Sequence, residues 1–247
     1  MPLFYQKTTL TGGVCVHIME GFLPPQWCAF WYVLSIPVIA YGVYRMNALV
    51  RERREALPLL AVAGAFIFVL SSLKMPSVTG SCSHPTGTGM GAVLFGPSIT
   101  AVLGLIVLIY QALFLAHGGI TTLGANVFSM GIAGPFVAYL VYKGCMRLNM
   151  NFYVAIFLAA TLADWVTYVV TSLQLALAFP AAVGGVLASF YAFGAVFAIT
   201  QVPLAIVEGV VTALIFKYIL QLRGDVLVRL HIIDEAKMRA LRGEVVA

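Results

Sequence analysis

Charge is what this chain has least of. Of its 247 residues, 9% are Asp, Glu, Lys or Arg, while 62% are hydrophobic. A soluble domain carries about 25% charged residues, too many for this chain to match, so a water-facing surface over the whole molecule is excluded. Five windows hold no charged side chain: Gly21–Tyr44, Ala56–Leu73, Met75–Tyr142, Leu148–Ala163 and Trp165–Val207. The mean hydropathy is +1.00. Cysteine is nearly absent too. Cys15, Cys28, Cys82 and Cys145 form no C-x-x-C pair, which removes the usual structural zinc site and any disulfide framework. They are expected to be small core residues. Two catalytic patterns are missing: no G-x-x-x-x-G-K-[ST] for nucleotide binding, and no H-E-x-x-H for a helix-borne metalloprotease site.

What remains is a polytopic membrane protein. A spanning helix needs about 20 apolar residues, and only helices or closed barrels satisfy their backbone inside lipid. The apolar runs are continuous and lack the alternation of barrel strands, so the expected class is an all-α membrane helix bundle. Hydropathy predicts seven spans at roughly 27–44, 57–74, 98–116, 121–142, 152–179, 181–199 and 203–222. Thr200-Gln201-Val202-Pro203 is the weak break, since 181–222 also reads as one long helix with a proline kink.

Net charge is +5, and its position matters more than its sum. Arg45, Arg51, Arg53 and Arg54 form one basic cluster; Lys217, Arg223, Arg229, Lys237, Arg239 and Arg242 form another. Both are expected on the cytoplasmic side, with the N-terminus outside and the C-terminus inside. They flank spans and make no nucleic-acid-binding domain. In this arrangement Lys143 and Arg147 fall outside, a mild violation of the rule, and His117 falls at the cytoplasmic end of its span in a structural role. The expected organisation is an extension at 1–15, a transmembrane substrate-binding domain at 16–222 and a cytoplasmic tail at 223–247. The tail carries Leu227, Leu230, Ile233 and Leu241 near helical spacing, with Glu235 and Arg239 as an i,i+4 pair. His231 is expected to be solvated there. Residues 1–15 are too polar for a signal peptide or a span.

Two polar loops interrupt this apolar chain. One is Val16-His17-Ile18-Met19-Glu20-Gly21-Phe22-Leu23-Pro24-Pro25. The other is Ser77-Val78-Thr79-Gly80-Ser81-Cys82-Ser83-His84-Pro85-Thr86-Gly87-Thr88-Gly89. Both lie on the extracytoplasmic face by charge and hydropathy, so His17 and His84 read as halves of one metal site. Gly80, Gly87, Gly89 and Gly91 allow tight backbone approach. Ser81, Ser83, Thr86 and Thr88 are placed to orient the His84 imidazole. Glu20 is expected to hold loop amides. Asn126 and Gln201 read as interhelical hydrogen-bonders, with Asn126 a candidate beside the metal. Asp164 and Glu208 are the acids nearest to span interiors. Ala61 with Ala65 and Ala155 with Ala159 offer small-residue helix contacts.

These loops, with Leu115-Ala116-His117-Gly118-Gly119 and Thr121-Thr122-Leu123-Gly124-Ala125-Asn126-Val127-Phe128-Ser129-Met130, resemble the CbiM/NikM family over residues 16 to about 222. The resemblance implies the substrate-binding S component of an energy-coupling-factor (ECF) transporter, with Co²⁺ as the transported substrate and Ni²⁺ as the alternative. The Ser-Cys-Ser-His-Pro-Thr run favours cobalt. It further implies no catalytic activity, a multi-pass place in the cell inner membrane and a link to cobalamin synthesis. The implied partners are a transmembrane T component (CbiQ-like), a cytoplasmic ATPase pair (CbiO-like) and a small CbiN-like subunit.

Family members begin at Met-His and hold the metal by the N-terminal amine, the amide nitrogen and imidazole of the second residue, and a second histidine. Carried onto this chain, the donors are residue 16, His17 and His84. Here position 16 is Val16, preceded by fifteen residues that tie its amine into a peptide bond. The expectation is that translation starts at residue 16, where a GUG codon reads as valine but initiates with methionine. Two other classes fit less well. An intramembrane metalloenzyme lacks paired histidines on one helix, and a channel would release ions too slowly from so strong a site.

Overall fold

The computed structural model describes residues 17–76 and 82–243. Expectations for residues 1–15, for Val16 and for Ser81 lie outside them. The described chain is nearly all helical. Helix α1 (Pro25–Glu52) opens on a proline, which suits a first turn whose N–H has no helical partner, and α2 (Ala56–Ser72) follows after a short turn. Two-residue strands β1 (Met75–Pro76) and β2 (Cys82–Ser83) pair antiparallel. Then come α3 (Thr88–Phe95) and α4 (Pro97–Phe114). The next helix has three parts: α5 (Leu123–Asn126), a π segment (Val127–Ala133) and α6 (Gly134–Arg147). Helices α7 (Phe152–Ala178), α8 (Gly185–Arg229) and the short α9 (Glu235–Arg242) complete it.

Five helices among the described residues are long and apolar enough to cross a membrane: α1, α4, the composite Leu123–Arg147, α7 and α8. Helix α2, with 17 residues, is a shorter apolar one. Their outer faces expose Val33, Leu113, Val169 and Leu214. So much apolar surface would aggregate in water, and a bilayer covers it. Between helices, where lipid removes the hydrophobic drive, close van der Waals packing takes over. Gly42 of α1 abuts the Ser98 carbonyl of α4, where a Cβ would sit 2.1 Å from the oxygen. Ala155 and Ala159 are buried in α7 as the small-residue pattern predicts, whereas Ala61 and Ala65 face outward. Cys145 is a buried core residue.

Contacts fix the direction of each helix. The start of α1 touches the start of α5, where Ser35 donates to the Gly124 carbonyl at 2.9 Å. Its far half meets the start of α4 at Ser98. Helix α4 therefore runs back and ends beside the N-terminal loop. Helix α6 ends at the opposite pole, where Tyr142 donates to the Ile232 carbonyl at 2.9 Å.

Three expectations change. The segments 181–199 and 203–222 are one helix, α8, which continues through Pro203. The segment 75–97 is no simple external loop: its described residues from 82 onward turn inward, and α3 has seven of its eight residues buried. Hydropathy windows cannot see α3, because eight residues rise only about 12 Å. With this extra inward pass, α4 runs the other way from the expected span, and His117 moves to the same end as His17 and His84. Lys143 correspondingly joins Arg45, Arg53 and His231 around one cleft of about 610 Å³ at the opposite end. The tail folds back there as a short amphipathic helix, with Arg242 donating to the Leu220 carbonyl at 2.9 Å and Glu235 paired to Arg239 at 3.8 Å.

Candidate metal centre

The segment after His17 has no secondary structure of its own, so its backbone must be paired by neighbours. Asn126 does most of this. Its Oδ1 accepts from the Ile18 N–H at 2.9 Å, and its Nδ2 donates to the Ile18 carbonyl at 3.1 Å. Thr122 donates to the same carbonyl at 2.6 Å. Glu20 accepts from the Thr121 N–H at 3.0 Å. Hydrogen bonding from Thr121 holds the Glu20 carboxyl below the usual carboxylate range, so it remains a charged acceptor at the loop edge. Glu20 thus holds loop amides.

His84 is fixed through its backbone. Its carbonyl accepts from Tyr168 Oη at 2.5 Å and from Gln201 Nε2 at 3.3 Å. The turn that follows hangs on a buried carboxylate: Glu208 accepts from the Thr86 N–H at 2.6 Å and the Gly87 N–H at 2.9 Å. Gly87 has φ +70°, and a Cβ there would sit 3.0 Å from the Ile67 Cα, so both conformation and space require glycine. Asp164 is buried on α7. Among the described residues, the hydroxyls of Ser83, Thr86 and Thr88 do not hydrogen-bond the His84 ring as expected. Ser83 pairs with Thr200 at 2.7 Å and Thr86 turns to Glu208, while His84 Nδ1 meets the Pro85 carbonyl at 3.0 Å.

His117 arrives from the end of α4. Ala116 (φ 46°) and Gly118 (φ 77°) both take left-handed backbone, which turns the histidine inward. For alanine that conformation costs about 1–2 kcal/mol, an outlay that marks the turn as constrained by its surroundings.

Three imidazoles converge as a result. Ring centroids are 4.5 Å apart for His17 and His84, 4.4 Å for His17 and His117, and 5.0 Å for His84 and His117. One nitrogen from each lies within 4.8 Å of the others. All three side chains are buried. Burial pushes His17 well below the ordinary imidazole value, His84 to about 4 and His117 to about 3. They are neutral at physiological pH, the form in which imidazole is a ligand.

The hydrogen bonds assign the free lone pairs. At His84, Nδ1–H donates to Pro85, leaving Nε2 buried and without a hydrogen-bond partner among the described residues. At His17, Nε2 lies 3.2 Å from Met130 Sδ, leaving Nδ1 unpartnered in the same sense. Met130 is presented by the π segment, a distortion frequent at functional sites. His117 has both ring nitrogens buried without such a partner. Sequence reasoning brought His17 and His84 together and missed His117. Buried imidazole nitrogens that forgo hydrogen bonds are costly, and three together form a nitrogen donor set suited to a late first-row divalent ion.

A family model described as "cobalt uptake substrate-specific transmembrane region", CbiM, matches residues 17–226. The chain belongs to the CbiM family. A protein of Methanosarcina barkeri named for cobalt transport, CbiM 2, is 69% identical over 92% of this chain and 99% of its own length. A CbiM protein of Methanocaldococcus jannaschii, also named for cobalt transport, is 58% identical over 91% of this chain and 95% of its own. Two crystal structures of transition metal transporters share the fold. One, a truncated form, has a TM-score of 0.73 at 28% identity and covers 83% of this chain and 98% of its own. The other has a TM-score of 0.72 at 27% identity. This CbiM-family chain is a multi-pass membrane protein and a transporter component, not an enzyme.

Proposed function

We propose that the chain is the substrate-binding S component of an ECF importer for Co²⁺, holding the ion between the loops of His17 and His84. The observation that carries this is the pair of complementary lone pairs, His17 Nδ1 and His84 Nε2, in a buried pocket. If the amide nitrogen of His17 also binds the ion, its own imidazole can close a six-membered chelate only through Nδ1. That is the nitrogen left without a partner. An amine at residue 16 adds a second fused ring, and His84 takes the remaining corner of the plane. Around this set Asn126 holds the Ile18 backbone and Glu20 the Thr121 N–H, Ser83 pairs with Thr200 and Thr86 with Glu208, and Ser81 belongs to the same loop as His84.

Residues 1–15 are then an extension ahead of the working N-terminus. Support comes from the family model, whose match begins at residue 17.

The path through the bilayer counts seven passes: α1, α2, the short α3 with its lead-in loop, α4, the composite helix, α7 and α8. The histidine end faces outward and the basic end faces the cytoplasm. Of the basic residues described, Lys74 alone lies at the histidine end, where it donates to the Leu115 carbonyl at 3.2 Å. The chain has no nucleotide-binding motif, so a CbiQ-like T component and CbiO-like ATPases supply the energy, with a CbiN-like subunit. The imported cobalt serves cobalamin synthesis. Ni²⁺ is the second reading, since an all-nitrogen set accepts it readily.

The test is metal content and affinity for two purified forms, one starting at Met1 and one at residue 16 as methionine. Stoichiometric Co²⁺ in the short form, lost in His17→Ala and His84→Ala, is expected. Equal binding by both forms would remove the free amine from the donor set. N-terminal sequencing of the natural product that found Met1 would end the proposed start at residue 16.

A further inference from the structure

We propose that His117 is a third imidazole donor to the transported ion, entering from outside the plane of the chelate and weighting the site toward Co²⁺ over Ni²⁺. This rests on the proposed metal site at His17 and His84 and adds a ligand to it.

Four observations meet at this residue. The side chain is fully buried at the centre of the two-loop junction. Both of its ring nitrogens lack a hydrogen-bond partner among the described residues. A structural histidine at a helix end is expected to use at least one nitrogen on a carbonyl or hydroxyl. Its ring stands 4.4 Å from His17 and 5.0 Å from His84, with a nitrogen inside the same ligand-sized triangle. Finally, the backbone takes left-handed conformations on both sides of it, at Ala116 and Gly118, to aim it there.

The number of corners decides how His117 binds. In the chelate proposed above, amine, amide nitrogen and imidazole of residues 16 and 17 would take three corners of one plane, and the His84 imidazole would fill the fourth. A fifth nitrogen must approach along the axis. An axial donor has different consequences for the two ions. Ni²⁺ in a strong planar nitrogen field is content with four ligands and gains little from a fifth. Co²⁺, with one electron fewer, accepts an axial nitrogen and is stabilised by it. Intrinsic affinities otherwise run toward nickel, so a geometric device is what a cobalt importer needs.

The experiment measures Co²⁺ and Ni²⁺ affinities of the form starting at residue 16 as methionine, carrying a C-terminal tag only, beside His117→Gln and His117→Ala in the same form. Pulsed EPR of the Co²⁺ forms grown on ¹⁵N-histidine counts the bound imidazoles. The expected result is three coupled imidazoles in the parent and two in His117→Gln. The ratio of Co²⁺ to Ni²⁺ affinity should fall by at least about tenfold, the loss that even a partner outside the ligand set can cause. His117→Gln keeps most of the side-chain volume, so collapse of the pocket is separated from loss of a ligand. If both affinities fall in equal proportion and the imidazole count stays the same, His117 is a packing residue and the proposal is overturned. If the parent shows no bound imidazole at all, and His17→Ala changes nothing, the metal site itself is wrong and the proposal falls with it.

Discussion

Replacing Glu208 with alanine should cost the protein its metal before it costs the fold. Glu208 belongs to α8, yet its carboxylate is the acceptor for the turn that follows His84. It takes the Thr86 N–H at 2.6 Å, the Gly87 N–H at 2.9 Å and the Thr86 hydroxyl at 3.1 Å. In Glu208→Ala the hydroxyl can turn to Thr88 Oγ1, already 3.3 Å away. The two amides have no such recourse. Each buried N–H left unmet costs about 1–3 kcal/mol, so the turn loses about 2–6 kcal/mol. The His84 carbonyl keeps its bonds from Tyr168 and Gln201, so the penalty falls on the loop and not on helix packing. If about 3 kcal/mol of it is relieved by the loop leaving its binding conformation, apparent affinity drops by about a hundredfold, at about 1.4 kcal/mol per tenfold. Glu208→Gln retains one accepting oxygen and should lose about half as much in free energy. The assay is Co²⁺ titration of detergent-purified protein, with the thermal midpoint recorded in parallel. Binding within about twofold of the parent in Glu208→Ala would refute the reasoning.

Three further outcomes are expected. Asn126→Ala removes both bonds to the Ile18 backbone and leaves its N–H unmet. Co²⁺ affinity should fall about 10–100-fold, and unchanged affinity by titration would show that Thr122 alone holds the segment. Gly119→Ala places a Cβ 2.5 Å from the Glu20 Cα, which only lifting the His17 segment can relieve. Overpacking of this kind costs about 1–3 kcal/mol, to be read as weaker metal binding with a small change in thermal midpoint; a loss of midpoint alone would count against it. The metal-free protein should lose stability as pH falls. Folded His84 titrates at about 4 and His117 at about 3 because both are buried, while unfolded imidazole titrates near ~6.5. Between those values the unfolded chain binds more protons, so each histidine costs about 1.4 kcal/mol per pH unit below ~6.5. Thermal midpoints from pH 7.5 to 5 should fall less steeply in His84→Asn, and an identical slope would contradict the assignment.

How much of this was legible in the sequence depends on what carries each feature. Apolar windows give helices in lipid, and α1, α4 and α7 fall near their expected positions because their length and hydropathy leave no alternative. The two polar loops that bring His17 and His84 together were legible because a polar, glycine-rich segment inside a charge-free run has no cheaper explanation. Asn126, too, could be read as a polar side chain buried for a partner, although its partner, the Ile18 backbone, could not. The path of the chain was harder. Counting spans treated 75–97 as a loop and divided α8 at Pro203, and each step is an error of one pass.

On the proposed seven-pass path those two errors cancel in the total, which leaves the proposed ends as expected while the middle of the chain is inverted. His117, Lys143 and Arg147 all lie in that inverted stretch. The misplacement of Lys143 and Arg147 against the positive-inside rule was therefore a real signal. A second lay in the window Met75–Tyr142, which is charge-free for 68 residues and long enough at about 20 residues per pass for three passes where two were drawn. Reversing α4 places the two lysine and arginine strays with the other basic residues and brings His117 beside His17. One correction of topology thus repairs the charge pattern and completes the donor cluster, and neither was used to obtain the other.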